Sequence, residues 1–253
     1  MTGFTIERVG QAYLRGFVRA WVRKQRVLLV LTGLAVTGAL VSAVTGNAEP
    51  SRHIVRLSMF YLPMIAGLLT LSGIVSEDRD TNFMVLWFQK PGRIIPIYLK
   101  RYLVGLAALL VFAGIAMVLL GVLAIAIDVL TPTAMLRRAA VMLLVAVLAG
   151  SIVFAFSAWG TRRDGVLAFM VIFLSLLLAG AFAFDDTRFA AFTRAVAFPM
   201  DALGALSGGS AWNGSLPPIV FITLHIAAWN LVGLFGLLYT EWALARGRMG
   251  AGE

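Results

Sequence analysis

Six long apolar runs, separated by short polar segments, are the main pattern in this sequence. The runs cover residues 27–46, 57–75, 102–127, 138–160, 165–184 and 218–240. A helix needs about 20 apolar residues to cross the ~30 Å hydrocarbon core of a bilayer, and each run is close to that length or exceeds it. Runs this continuous lack the alternation of membrane β-barrel strands. The pattern therefore predicts an all-α membrane protein with six transmembrane helices.

Composition restricts the class of protein further. Hydrophobic residues make up 60% of the 253 residues and charged residues only 13%, which leaves too little polar surface to cover six buried helices in water. Six spans also leave few residues for a second unit, so residues 1–253 are expected to form a single transmembrane domain. Because the chain has no cysteine, disulfides, thiol catalysis and cysteine metal sites are excluded.

Basic residues are distributed unevenly between the two sets of loops. Fifteen of the 21 Lys and Arg residues lie in the N-terminal tail, in the loops after the second and fourth runs, and after the sixth run. This bias predicts a multi-pass protein of the inner (plasma) membrane with both termini in the cytoplasm. Topology and attraction to anionic membrane lipid then explain the net charge of +9, and nucleic-acid binding is not expected. The first run is longer than the apolar region of a signal peptide, so we expect it to be retained.

The N-terminal segment, residues 4–26, has two distinct helical faces. At 100° per residue, five arginines fall on one face and a set of aliphatic and aromatic residues falls on the other. This pattern is typical of a helix that lies in the membrane interface, with Arg15, Arg19, Arg23 and Trp21 as its membrane-interface residues. Two compatible interpretations are a simple anchor for the first span and a docking surface for a cytoplasmic partner.

Apart from Arg138 at the first position of the fourth run, the apolar runs contain no Asp, Glu, Lys or Arg, and their strongest uncharged polar groups are His225 and Asn230 in the last run. Ion-coupled carriers and channels usually place charged groups or stacked carbonyls at membrane depth. We therefore predict that His225 and Asn230 make hydrogen bonds between helices; a proton relay is the alternative. We expect the glycines of the first and third runs to allow close packing between helices of this chain, with a dimer seam or a substrate path as alternatives. These glycines are Gly33, Gly38, Gly105, Gly114 and Gly121.

No enzyme signature is present in the sequence. It contains no H-E-x-x-H, no G-x-S-x-G and no G-x-x-x-x-G-K-[ST] motif, which are the usual marks of a metalloprotease, a serine hydrolase and a phosphate-binding loop. We expect no catalytic residues, no metal ligands and no cofactor in this chain. If the protein performs energised work, the ATP and its Mg²⁺ must be bound by another polypeptide.

The loop at residues 76–93 combines dense charge with a helical pattern. An acidic cluster, Glu77-Asp78-Arg79-Asp80, is followed by Thr81, and carboxylates and threonine both favour a helix N-terminus. Phe83, Leu86 and Trp87 give the following turns an apolar side, and Pro91-Gly92 ends them. The loop therefore predicts a short amphipathic cytoplasmic helix, which either rests on the membrane or is held by a partner.

This loop resembles that of the permease subunits of type-2 ABC exporters. In that family a six-span chain with an amphipathic N-terminal helix carries an acidic cluster, Gly-Thr, a short apolar helix, Pro and Arg, and then Lys before the third span. The matching residues here are Glu77, Asp78, Thr81, Pro91, Arg93 and Lys100. Asp80 stands in place of the usual glycine, and the stretch from Thr81 to Pro91 is about two residues longer than in the common pattern.

The resemblance implies a coupling loop that docks a separate ATP-binding subunit. The residues it places there are Glu77, Asp78, Arg79, Asp80, Thr81, Phe83, Leu86, Trp87, Pro91 and Arg93. It also implies a second permease chain, identical or related, and an external re-entrant-like segment of paired short helices at residues 185–217. Within that segment, Pro199 and Gly208-Gly209 are expected to interrupt the helices.

The sequence thus predicts the membrane-spanning subunit of an ATP-driven ABC exporter, which lines a translocation path as a dimer. Its uncharged spans favour a lipidic or amphipathic cargo. Two other classes stay open at this point. One is a secondary carrier or channel, and the other is a membrane protein without transport activity, such as an assembly factor or immunity protein.

Overall fold

The computed structural model describes residues 6–45, 48–80, 94–128, 130–159, 163–181, 199–208 and 214–246, and it describes the side chains of the first helix from Lys24 onward. These residues are almost entirely helical, and none of them lies in a β-strand. In chain order the helices are α1 (Ile6–Val44), α2 (Ala48–Leu71), α3 (Ser76–Asp80), α4 (Ile95–Ala126), α5 (Pro132–Ala158), α6 (Asp164–Ala181), α7 (Met200–Ser207) and α8 (Pro218–Ala245).

Among the described residues, five segments are long and apolar enough to cross a membrane. They are Lys24–Val44, Glu49–Asp78, Ile95–Ala126, Pro132–Ala158 and Pro218–Ala243. The prediction of an all-α protein with several membrane-capable helices is therefore confirmed. The expected fifth span, 165–184, coincides with the 18-residue helix α6, whose described apolar part, Asp164–Ser175, is shorter than the other five. The six-span count, the choice of membrane and the cytoplasmic termini stay predictions.

The first helix differs from the sequence-based expectation of an interfacial helix followed by a separate span. α1 runs without a break from Ile6 to Val44, a length of 39 residues, or about 58 Å at 1.5 Å per residue. The expected junction contains Lys24 and Gln25, which favour helix, and no proline that would end it. A helix of this length exceeds the hydrocarbon core, so part of α1 extends beyond it. The side chains of Arg15, Arg19, Trp21 and Arg23 lie outside the described residues, and their interfacial position stays a prediction.

Helix ends follow local capping residues and do not coincide with the limits of the apolar runs. α5 begins six residues before the predicted span because the Thr131 hydroxyl accepts from the Ala134 amide at 3.3 Å and Pro132 follows it. In the predicted external segment, α7 begins after Pro199 and ends at Gly208, whose φ of 80° is left-handed. Pro199 and Gly208 thus bound α7, while Gly209 and residues 182–198 lie outside the described residues, and the paired short helices stay a prediction. Helix α7 packs against α5 and α8.

Helix α5 is the centre of the bundle and packs against α2, α4, α6, α7 and α8. Glycines permit the closest contact: a Cβ on Gly67 of α2 would lie 2.5 Å from the carbonyl oxygen of Ala146 on α5. In lipid, such close packing of small residues holds helices together. By contrast, only 17% of the α1 and α8 spans is buried, against 67% of α5. These two helices therefore form the periphery of the described bundle.

The glycines singled out in the sequence differ in how closely they are packed. Gly105 packs against Leu71, and Gly121 packs against Met135, which confirms packing within the chain at these two positions. A Cβ added at Gly38 would make an ordinary contact with Ile54 at 3.9 Å, whereas one added at Gly33 or Gly114 would meet no other part of the described chain within 4 Å. For them, a dimer seam or a substrate path stays a prediction.

Candidate functional site

The connection between α2 and α3 is the most polar part of the described bundle. Helix α2 ends at Leu71, residues 72–75 form a turn, and Gly73 takes a φ of 80° that favours glycine. The short helix α3 follows, with Glu77 and Asp78 in its first turn. We call residues Ser72–Asp78 the junction, because side chains from four other helices converge on them.

Helix α6 reaches the junction through its first residue, Asp164. This carboxylate is buried and accepts hydrogen bonds from the Ser72 hydroxyl at 3.1 Å and the Gly73 amide at 2.8 Å. It also accepts from the Ser76 hydroxyl at 2.9 Å. A carboxylate is favoured at a helix N-terminus by the helix dipole. Asp164 therefore satisfies the start of its own helix and fixes the turn after α2.

The last turn of α5 contributes Ser157. Its buried hydroxyl accepts from the amide of Val75 at 3.0 Å and from that of Ser76 at 3.2 Å. The first amides of a helix have no partner within the helix. A side chain of α5 thus supplies the acceptor at the start of α3.

Helix α4 holds the junction through a buried ion pair. Arg101 donates from Nη1 to Asp78 Oδ2 at 2.8 Å and to the carbonyl of Ile74 at 2.8 Å. The Tyr98 hydroxyl donates to the same Asp78 oxygen at 3.0 Å. Asp78 and Arg101 are only 6% and 3% exposed. Such a pair adds little net stability over apolar packing, but removing one partner is costly, so its main effect is to fix α3 against α4.

Helix α1 completes the junction. Lys24 donates from Nζ to the carbonyl of Ser72 at 2.8 Å. The next residue, Gln25, donates to the Thr70 hydroxyl on the last turn of α2 at 3.1 Å. The connection between α2 and α3 is therefore bonded to α1, α4, α5 and α6 together.

Only part of the predicted docking site lies in the described residues. Glu77 is exposed, whereas Asp78 is buried in its pair with Arg101, so Asp78 is not a contact surface in this structure. Arg79 and Asp80 belong to α3, but their side chains lie outside the described residues. The other predicted docking residues also lie outside them: Thr81, Phe83, Leu86, Trp87, Pro91 and Arg93.

The residues that hold the junction were not predicted from the sequence. Arg101 was considered only as one of the basic residues that set the topology, and Asp164 was not singled out. The spacing of Tyr98 and Arg101, three residues apart on one helix face, was the available signal. The pairing of Ser72 with Asp164 spans 92 residues, and a single sequence carries no sign of it.

A second, smaller polar group lies between α5 and α8. Asn230 donates from Nδ2 to the Ser151 hydroxyl at 2.9 Å, which confirms the predicted hydrogen bond between helices. The Tyr102 hydroxyl lies 3.5 Å from the same Ser151 oxygen. The Nδ1 of His225 lies 3.0 Å from the carbonyl of Phe221 one turn earlier, a contact within α8.

Two buried carboxylates meet at the junction, Asp78 within it and Asp164 packed against it. They receive hydrogen bonds from arginine, tyrosine, serine and backbone donors. Within the part of the chain that the structure describes, no three His, Asp or Glu side chains are grouped to hold a metal ion. No protein-family model, curated protein or solved structure matches this chain.

Proposed function

We propose that this chain is the membrane-spanning permease subunit of an ATP-driven exporter of the type-2 ABC kind. A separate cytoplasmic ATPase, which binds ATP and Mg²⁺, docks on the loop at residues 76–93. The observation that carries this proposal is the junction, where the first helix of that loop is bonded to α4, α5 and α6, and the turn before it is bonded to α1 as well. A loop that merely connected two spans would not require such bonds.

The proposed mechanism follows the bonds of the junction. ATP-driven closure of the ATPases displaces α3, and the Asp78–Arg101 pair carries the displacement into α4. Ser157 carries it into α5, and Asp164 carries it into α6. A rigid-body change of this kind shifts the population between inward-open and outward-open states.

The remaining parts of the proposal concern the assembly. The chain crosses the inner (plasma) membrane six times, and α6 is the fifth crossing. Both termini then lie in the cytoplasm. Two permease chains, identical or related, enclose the translocation path. The apolar outer faces of α1 and α8, of which little is buried, supply surface for a second chain or for lipid. A lipidic or amphipathic cargo suits spans of this composition.

Copurification of an ATPase tests the proposal. The exposed Glu77→Lys change and the pair Leu86→Ala with Trp87→Ala should leave the chain folded in the membrane but reduce the copurified ATPase. Burial of each large apolar side chain at such an interface is worth roughly 1.5–3 kcal/mol. Glu49→Lys is the matched control, because Glu49 is exposed near the start of α2, at its other end. If no ATPase copurifies with the wild-type chain, the exporter proposal fails and a carrier or an assembly protein becomes the better interpretation.

A further inference from the structure

Three aromatic rings and one arginine form a continuous stack at the end of the bundle where α5 and α8 terminate. The Trp159 and Tyr239 rings are stacked with centroids 5.6 Å apart, and the Tyr239 and Trp242 rings are stacked at 5.8 Å. The Arg246 guanidinium lies 4.3 Å from the centre of the Trp242 ring. We call these four residues the aromatic ladder.

The ladder is built into the contact between α5 and α8. Trp159 caps the end of α5, and its indole nitrogen donates to the carbonyl of Val232 at 3.1 Å. Gly236 makes room for this ring, since a Cβ there would lie 2.9 Å from it. One turn further along α8, the Thr240 hydroxyl donates to the carbonyl of Ala158 at 3.2 Å. The position of the Trp159 ring is therefore fixed by its contacts with α8.

The three rings nevertheless remain partly exposed. Trp159, Tyr239 and Trp242 are 45%, 50% and 41% exposed. Tryptophan and tyrosine with one apolar and one polar side are enriched where a membrane meets water. The ladder also lies at the same end of the bundle as the junction, because Ser157 of the junction contacts is two residues before Trp159. This end is the one for which the sequence predicts the excess of basic residues.

The ladder continues into the membrane span as a single stripe. Phe235, Tyr239, Trp242 and Arg246 follow one another at spacings of four, three and four residues, which places them on one face of α8. Phe235 is exposed, as is Leu231 one turn before it. A ligand on this stripe therefore meets a cation first, then amphipathic rings, and then purely apolar side chains. That order matches the headgroup, the glycerol region and the acyl chain of a phospholipid.

We propose that the aromatic ladder is a binding site for an anionic phospholipid, with Arg246 at the headgroup phosphate. A guanidinium that lies on an indole face keeps its N–H groups for a phosphate oxygen while the ring shields it from water. A lipid is favoured over a protein partner because the stripe extends to Phe235 and Leu231 at span depth. The inference requires only that the protein resides in a membrane, and it is independent of the exporter proposal.

Quenching of tryptophan fluorescence by brominated phospholipids tests this site. The full chain is reconstituted in phosphatidylcholine vesicles that contain brominated phosphatidylglycerol or brominated phosphatidylcholine. Subtracting the emission of the Trp242→Phe variant isolates Trp242. We expect quenching by both lipids, with a relative affinity for phosphatidylglycerol about five-fold higher, the weight of one basic residue near anionic lipid.

Two arginine variants separate this site from a general surface charge. Arg246→Gln should abolish the preference for phosphatidylglycerol, while Arg163→Gln, an exposed arginine next to the start of α6, should retain it. Equal quenching by the two lipids in the wild-type chain would overturn the proposal, and so would an unchanged preference in Arg246→Gln. If neither lipid quenches Trp242, the rings face protein and the lipid site is wrong. None of these outcomes depends on whether an ATPase copurifies.

Discussion

The turn after α2 and the turn after α4 each connect two helices, at opposite ends of the bundle, but different kinds of contact hold them. The described residues of the turn after α4 are held by bonds to their own neighbours in sequence, such as the Leu130 amide to the carbonyl of Ala124 at 3.3 Å and the Ala134 amide to the Thr131 hydroxyl. The junction is held by side chains that come from four other helices. A simple connection needs only bonds between neighbours in sequence, whereas an element that transmits a displacement needs bonds to other helices.

The largest expected effect is the loss of one partner of the buried ion pair. Arg101→Leu leaves the Asp78 carboxylate buried without its cation, and such changes cost about 3–5 kcal/mol. We expect a clear fall in the midpoint of thermal unfolding in detergent. The double variant Arg101→Leu with Asp78→Leu removes both charges and should regain part of the loss. A single variant that unfolds at the wild-type temperature would show that the pair does not hold α3.

Asp164→Ala should have the next largest effect. It removes the acceptor of three long-range hydrogen bonds, and a bond to a charged group is typically worth about 1.5–3 kcal/mol. Because the chain has no cysteine, a Val75→Cys reporter placed in the fully buried part of the junction would be the only thiol. We expect maleimide to label this thiol slowly in the otherwise wild-type chain and rapidly when Asp164→Ala is added. Equal labelling in both would contradict the role of Asp164.

Ser157→Ala removes a single hydroxyl and should act more locally. The amides of Val75 and Ser76 lose their acceptor, at a cost of about 1 kcal/mol. Hydrogen exchange, followed by mass spectrometry, should quicken in the peptide that contains these amides and stay unchanged in a peptide from α8. If the exchange of the junction peptide does not change, Ser157 is not its acceptor in solution.

The smallest effect is expected at the turn used for comparison. Thr131→Ala removes the cap of α5 and should cost about 0.5–1 kcal/mol, while Thr131→Ser keeps the hydroxyl and should cost less. Neither change should alter maleimide labelling of the Val75→Cys reporter. An increase in that labelling would mean that the two ends of the bundle are not independent.

The hydropathy of the chain predicted most of the helices because lipid requires long apolar segments and leaves few alternatives. Local chemistry also agrees with the limits of α7, which begins after Pro199 and ends at Gly208. The junction was not predictable, since its bonds join residues as distant as Ser72 and Asp164, and each of these residues is ordinary in its own segment. The continuity of α1 was missed for a related reason. In α1 the pattern changes from amphipathic to apolar, which indicates that the surroundings of the helix change. This does not end the helix, because the backbone stays helical as long as its residues tolerate helix.

The rate of ATP hydrolysis in the purified complex measures whether the junction couples a docked ATPase to the membrane helices, as we propose. The comparison uses wild type, Asp164→Ala and Thr131→Ala, each reconstituted with its copurified ATPase and normalised to bound ATPase. We expect all three chains to bind the ATPase equally. We also expect wild type and Thr131→Ala to change the hydrolysis rate relative to the isolated ATPase, and Asp164→Ala to lose this change. If Asp164→Ala, with the ATPase bound, changes the rate as fully as wild type does, the junction does not couple the two.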